Sequence, residues 1–266
     1  MVLVGTALIA ATGIAVGQPR CEAIGPKRIH VCVHAGEGPT LVLAAGAGQD
    51  SRTWSPLLKQ LRALGRVVTF DRPGLGQSPN ADGPRTPTTI ARELRQVLSA
   101  LDVPSPVLLI GHSMGGVHAL RYADLFPEHV AGVVLLDTPP PSFERDRLEL
   151  LSAEDREDRR RALAEGRLRA PSVVGRERDG AAAERWEFHG FPVERPLFVV
   201  VADQQDFGDL GSPEAQRSLW MQRSSQWLDL SESADIVVAS GSGHMIHHDR
   251  PEVVLEVVMR LIDRVK

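Results

Sequence analysis

The stretch Val107-Leu108-Leu109-Ile110-Gly111-His112-Ser113-Met114-Gly115-Gly116 constrains the fold more than any other part of the chain. Four branched apolar residues in a row predict a strand buried on both faces, the habit of strands in parallel sheets. Beyond the glycines, Val117, Leu120, Tyr122, Ala123 and Leu125 recur at helical spacing, and Pro127 ends the pattern. Ser113 therefore stands on the tight turn from a buried strand into a helix. Gly111 and Gly115 leave room where a Cβ would collide with neighbouring backbone. The helix that starts at Met114 points its N-terminal amides at any anion forming beside Ser113. A bare G-x-S-x-G string carries little weight; the strand before it and the helix after it make it the pattern of an exposed serine nucleophile.

The rest of the chain repeats the alternation. Thr40-Leu41-Val42-Leu43-Ala44-Ala45 reads as a buried strand running into Gly46-Ala47-Gly48, and Trp54, Leu57, Leu58, Leu61 and Leu64 follow at helical spacing. Arg66-Val67-Val68-Thr69-Phe70 is the next strand, followed by the turn Asp71-Arg72-Pro73-Gly74-Leu75-Gly76-Gln77-Ser78. A helix is expected from Thr88 to about Leu101. After the serine turn and its helix, Val133-Val134-Leu135-Leu136 is another strand, ending at Asp137. Strands alternating with helices in this way predict βαβ units, hence an α/β fold with a mainly parallel sheet.

At Thr138-Pro139-Pro140-Pro141 the alternation breaks, and as far as Phe191 the composition shifts to Arg, Glu, Asp and Ala. Ser152 with Asp155 reads as a helix start, and the charges after it suit a solvated helical face. Trp186, Phe188 and Phe191 either line the underside of a lid or pin the insertion to the core. Pro196-Leu197-Phe198-Val199-Val200-Val201-Ala202 resumes the pattern, leading into an acidic loop with Asp203, Asp206 and Asp209. Ser212-Pro213 opens a helix carrying Leu219, Trp220 and Trp227, and Ile236-Val237-Val238-Ala239 is the last strand. Gly241-Ser242-Gly243-His244 and a closing helix from about Pro251 complete the chain. The expected organisation is an α/β core over 18–137 and 192–266, with a small helical cap over 138–191.

Composition narrows the partners. A net charge of −4 gives no electrostatic reason to expect nucleic acid, and 5% aromatic residues leave little for base stacking. Residues 1–17 are apolar and small, too short for a spanning helix, and end in Ala15-Val16-Gly17, a small-x-small cleavage pattern. They read as a hydrophobic leader of an exported, periplasmic or secreted chain; the other reading is an ordinary first strand of a cytoplasmic protein. Cys21 and Cys32 flank a hairpin whose tip is Pro26-Lys27. They fall opposite each other, within reach of a disulfide, with two free thiols as the alternative.

A serine hydroxyl needs an adjacent base, itself oriented by a third group. His244, in a glycine-rich loop after the last strand, can reach the C-terminal edge of the sheet, where open α/β sheets bind ligands. His112, His247 and His248 read as packing or surface residues. The order Ser…Asp/Glu…His leaves two strand-end acids, with Asp137 favoured and Asp206 the alternative. The main-chain N–H groups of Ala47 and Met114 are the expected oxyanion donors. Asp71 and Arg72 read as residues that tie their loop down. No metal or organic cofactor is implied.

These residues resemble the α/β-hydrolase superfamily, in its capped, serine-nucleophile, esterase-like branch. The resemblance runs from about Ile29 onward and rests on 41–48, 71–78, 111–116 and 241–249 with Pro251. It implies Ser113 as nucleophile, His244 as base and then acid, and Ala47 with Met114 as the oxyanion hole, acting on a small ester-like substrate. Two departures stand out. The family's usual His-Gly is Ala45-Gly46, and the aspartates after Ala202 sit one residue off the common acid position. Haloalkane dehalogenases place their acid where Asp137 stands, but they use an aspartate nucleophile, as epoxide hydrolases do. The same residues would also suit a lactonase, an amidase or a cofactor-free perhydrolase, and a non-catalytic binding module is the reading from another class. Nothing in the sequence speaks to oligomeric state.

Overall fold

The computed structural model describes residues 18–80, 82–169, 172–184 and 187–266. The leader expected over 1–17, and Trp186, lie outside the described residues. Eight strands make one sheet: β1 (Arg20–Ile24), β2 (Ile29–His34), β3 (Thr40–Ala44), β4 (Arg66–Phe70), β5 (Val107–His112), β6 (Val130–Leu136), β7 (Leu197–Ala202) and β8 (Ala234–Ala239). Their order is β1-β2-β4-β3-β5-β6-β7-β8. The β1–β2 and β2–β4 pairs are antiparallel, and the remaining pairs are parallel. Among the described residues the α-helices are α1 (Ser55–Leu64), α2 (Pro87–Ala100), α3 (Met114–Leu125), α4 (Phe143–Glu149), α5 (Ala153–Arg169), α6 (Ser172–Ala183), α7 (Pro213–Ser224), α8 (Ile246–Asp249) and α9 (Pro251–Arg264).

Side chains leave a strand on alternate faces, so each buried strand feeds two cores. Leu41 and Leu43 join Val67, Leu108 and Ile110 in one apolar cluster under α1 and α9. Val42 and Ala44 point the other way and join Val68, Leu109 and residues of α2 and α3. This two-sided burial explains why the central strands carry uninterrupted apolar runs. β8 lies at the edge of the sheet, so Ile236 and Val238 face outward and are exposed.

Local signals set the helix starts. Thr86 Oγ1 accepts from Thr89 N ahead of α2, and Ser212 Oγ accepts from Ala215 N ahead of α7, each with proline at the first helical position. Ser152 Oγ accepts from Asp155 N at 3.0 Å, the cap expected for α5. Cys21 pairs with Cys32 across the β1–β2 hairpin, and the two are joined by a disulfide. Helices α4, α5 and α6 all fall between β6 and β7. Phe188 and Phe191, which follow them, are buried in the core cluster that includes Trp227, with the Arg121 guanidinium over the Phe188 ring. They fasten the segment after α6 to the core.

Candidate active site

Ser113 sits between β5 and α3 with φ 52° and ψ −126°. A left-handed backbone at a non-glycine residue costs roughly 1–3 kcal/mol and persists only where the surroundings enforce it. Here Ser113 N donates to Leu136 O at 2.8 Å, and Gly116 N donates to Ser113 O at 2.9 Å. A Cβ at Gly115 would run into the carbonyl oxygens of Ala44 and Ala45, which is why α3 can start so close to β3.

His244 reaches back over the same edge. Its Nδ1 lies 2.7 Å from Asp137 Oδ2, with the histidine side chain 39% exposed and the aspartate side chain at 0%. Asp137 Oδ1 accepts from Trp220 Nε1 at 2.8 Å and from Ala202 N at 3.1 Å. The buried carboxylate is thus supplied with three donors, the condition under which a buried charge is tolerated. Asp137 has φ 45°, a conformation that aspartate adopts more readily than most residues. Among the described residues nothing hydrogen-bonds to His244 Nε2, so that nitrogen is open toward the cavity.

Asp206 is exposed and lines the same cavity, but its Oδ1 accepts from Gly208 N at 2.8 Å and it makes no pair with His244. Asp203 Oδ1 accepts from Gly241 N and so ties the end of β7 to the His244 loop.

The other histidines pack. His112 Nε2 donates to the His244 carbonyl at 2.9 Å, and its Nδ1 lies 3.0 Å from the Gln49 amide oxygen. Burial, reinforced by the nearby His244, pushes the His112 imidazole down to about 3. His247 is fully buried against Trp54 and His112, and burial pushes it to about 2, with His112 adding to the effect. His248 is exposed and donates to the Thr53 carbonyl. His112 and His247 therefore stay neutral and form a rigid backing to the His244 loop.

Facing Ser113 is the turn after β3. Gln49 N donates to Gly46 O, and Gly46 N donates to Gln49 Oε1. A Cβ at Gly46 would sit 3.2 Å from Ser113 Cβ, so this turn lies directly beside the serine. The N–H groups of Ala47 and Met114 donate to nothing among the described residues. Asp71 accepts from Ser51 N and Gln77 N, and Arg72 donates to the carbonyls of Ala45 and Gly46, so both tie loops down as expected. Sequence reasoning missed two partners. Trp220 read only as a packing residue of its helix, and Gln49 carried no signal beyond its place in a glycine-rich turn.

A cavity of about 1040 Å³ opens above Met114 and His244. Its near wall is apolar, with Pro139, Pro140, Phe143, Phe207 and Trp220, while α5 and α6 contribute Arg159, Arg178 and Ala181. Away from it, Cys21, Cys32 and His30 place donor atoms within 4.8 Å of one another, but both sulfurs are committed to the disulfide and are not thiolate ligands.

A strained serine turn and a histidine–aspartate pair thus stand at the C-terminal edge of a mostly parallel sheet. The alpha/beta hydrolase family model matches residues 41–257, and the chain belongs to that family of enzymes. Protein YqjL of Bacillus subtilis is 30% identical over 218 residues, which cover 82% of this chain and 81% of that one. Esterase Rv0045c of Mycobacterium tuberculosis is 26% identical over 277 residues, covering 92% and 90%. The structure of a thermophilic esterase from Thermogutta terrifontis superposes with a TM-score of 0.61 at 21% identity, over 94% of this chain and 99% of that one. Among the described residues no helix is long and apolar enough to cross a membrane.

Proposed function

We propose that the protein hydrolyses carboxylic esters through an acyl-enzyme formed on Ser113. The observation that carries this reading is the His244–Asp137 pair, with its buried, fully hydrogen-bonded carboxylate, at the serine's edge of the sheet. Ser113 Oγ attacks the ester carbonyl carbon while His244 Nε2 takes its proton. Asp137 holds the Nδ1–H tautomer and stabilises the imidazolium. The N–H groups of Ala47 and Met114 donate to the oxyanion, where one such donor is typically worth ~3–4 kcal/mol. Collapse of the tetrahedral intermediate expels the alcohol, which leaves with the proton from His244. Water, deprotonated by His244, then attacks the acyl carbon and regenerates Ser113.

The apolar wall of Phe143, Phe207 and Trp220 suits an acyl chain or another apolar substituent of the ester. Helices α4 to α6 act as the cap that bounds this cavity. The names of similar proteins, esterases of Mycobacterium tuberculosis and Thermogutta terrifontis among them, favour the ester over other acyl substrates. The disulfide is of the kind that persists in oxidising compartments, which favours an exported chain.

A fluorophosphonate probe tests the nucleophile. The wild-type protein should label covalently and Ser113→Ala should not. Equal labelling of both would remove Ser113 from its role.

A further inference from the structure

Arg72 is buried, with a side chain 1% exposed, and its guanidinium works in two directions. On one side Nη1 donates to Ala45 O at 2.7 Å and Nη2 to Gly46 O at 2.8 Å. On the other, Nε donates to Glu177 Oε1 at 2.8 Å and Nη2 to Glu177 Oε2 at 3.0 Å. Glu177 lies on α6, in the insertion, and its side chain is 0% exposed. Burial alone would raise its carboxyl, but the charge and hydrogen bonds of Arg72 outweigh this and hold it below the usual carboxylate value. The planar fork of arginine can make all four contacts at once, which a lysine ammonium cannot.

The Gly46 carbonyl belongs to the same peptide unit as the Ala47 N–H. A trans peptide is planar, so its C=O and N–H point in opposite directions. Anchoring Gly46 O on a cation therefore aims Ala47 N–H away from Arg72. A charged donor on the carbonyl also polarises the amide, which makes its N–H a stronger donor. A second set of contacts joins the same elements. Val173 and Val174 of α6 form one apolar cluster with Leu75, and Ala47 packs against it. A Cβ at Gly48 would sit 3.5 Å from Val174, and one at Gly74 would press on Val173.

We infer that α6 of the insertion is a working part of the oxyanion hole: Glu177 holds Arg72, and Arg72 aims and polarises the Ala47 N–H through the Gly46 carbonyl. Arg72 and Glu177 are positioning residues; neither touches substrate. The insertion then governs rate as well as substrate access, because undocking α6 would release the loop that carries Ala47. This inference rests on the ester-hydrolase reading above.

The test compares wild type with Arg72→Lys, Glu177→Gln and Val174→Ala, for p-nitrophenyl ester turnover and for inhibition by a trifluoromethyl ketone. Such a ketone forms a tetrahedral adduct on the serine and so reports on the oxyanion hole. Arg72→Lys should lower kcat about 10- to 100-fold, with KM changed less than about twofold, as expected when a remote change misplaces a reacting group. The ketone's inhibition constant should rise in step, and Glu177→Gln should follow with a fall of about 3- to 10-fold. A purely structural clamp would lower the thermal midpoint and leave kcat and the ketone constant alone; that result in folded variants overturns the inference. If Arg72→Lys does not fold, Glu177→Gln and Val174→Ala decide by the same readouts. Wild type that neither turns over esters nor binds the ketone would overturn the ester reading, and this inference with it.

Discussion

Strands β6 and β7 each lead into an aspartate, yet the two differ in every physical respect that matters to holding an imidazole. Asp137 is buried, stands in a left-handed turn ahead of three prolines, and spends its oxygens on His244, Trp220 and Ala202. Asp206 is exposed and caps its own loop through Gly208 N. A carboxylate that orients an imidazole must be dry and immobile, because water would compete for both partners. Dryness costs several kcal/mol unless donors compensate, and only the end of β6 supplies them. The lesson is that the neighbours of an acid, more than its place in the chain, decide whether it can serve.

The comparison breaks most visibly if the wrong acid matters. Asp137→Asn should lower kcat/KM for a p-nitrophenyl ester about 10⁴-fold by favouring the wrong His244 tautomer, as in the analogous change at a serine-protease triad. A fall under tenfold would break the account of Asp137.

Acid conditions probe the buried imidazoles. His112 and His118 are each pushed down to about 3, chiefly by burial, and His247 to about 2. Unfolded, each imidazole takes a proton near pH 6.5, whereas folded it stays neutral. The unfolded chain therefore binds more protons between pH 6.5 and about 3, so stability is complete above 6.5 and falls as pH drops through that window. The expected loss is up to about 1.4 kcal/mol per pH unit for each imidazole. Urea unfolding at pH 7 and 5.5 measures it. Among the described residues both ring nitrogens of His118 lack a hydrogen-bond partner, so His118→Leu should flatten the slope by one imidazole's share. An unchanged slope would contradict the buried, neutral assignment.

Trp220→Phe sharpens the comparison further. It keeps the ring but removes one donor from Asp137 Oδ1, and a hydrogen bond to a charge is worth roughly 1.5–3 kcal/mol. A fall in kcat of about tenfold is expected in p-nitrophenyl ester turnover. The smallest effect belongs to Asp206→Asn, which should change kcat/KM less than about twofold. A larger fall would show that the β7 loop contributes more than a wall of the cavity.

Much of this was legible before the structure. The elbow could be read because strand, turn and helix signals are all local to 107–125, and the hairpin register followed from a tip at Pro26-Lys27. The choice between Asp137 and Asp206 could not be read from spacing, since it depends on how two loops fold relative to His244. Trp220 and Ala202 approach Asp137 from 83 and 65 residues away, contacts with no local pattern. Glu177 was hidden for the opposite reason. It stands in a charged segment that reads as solvated, yet its side chain is buried against Arg72, a residue 105 positions earlier. Long-range pairing of charges leaves no periodicity to find.

The most direct measurement is hydrolysis of p-nitrophenyl esters from acetate to decanoate, with Ser113→Ala and Asp137→Asn beside wild type. The account predicts turnover by wild type and near-inactivity of both variants. Wild type no faster than Ser113→Ala across the series would contradict it.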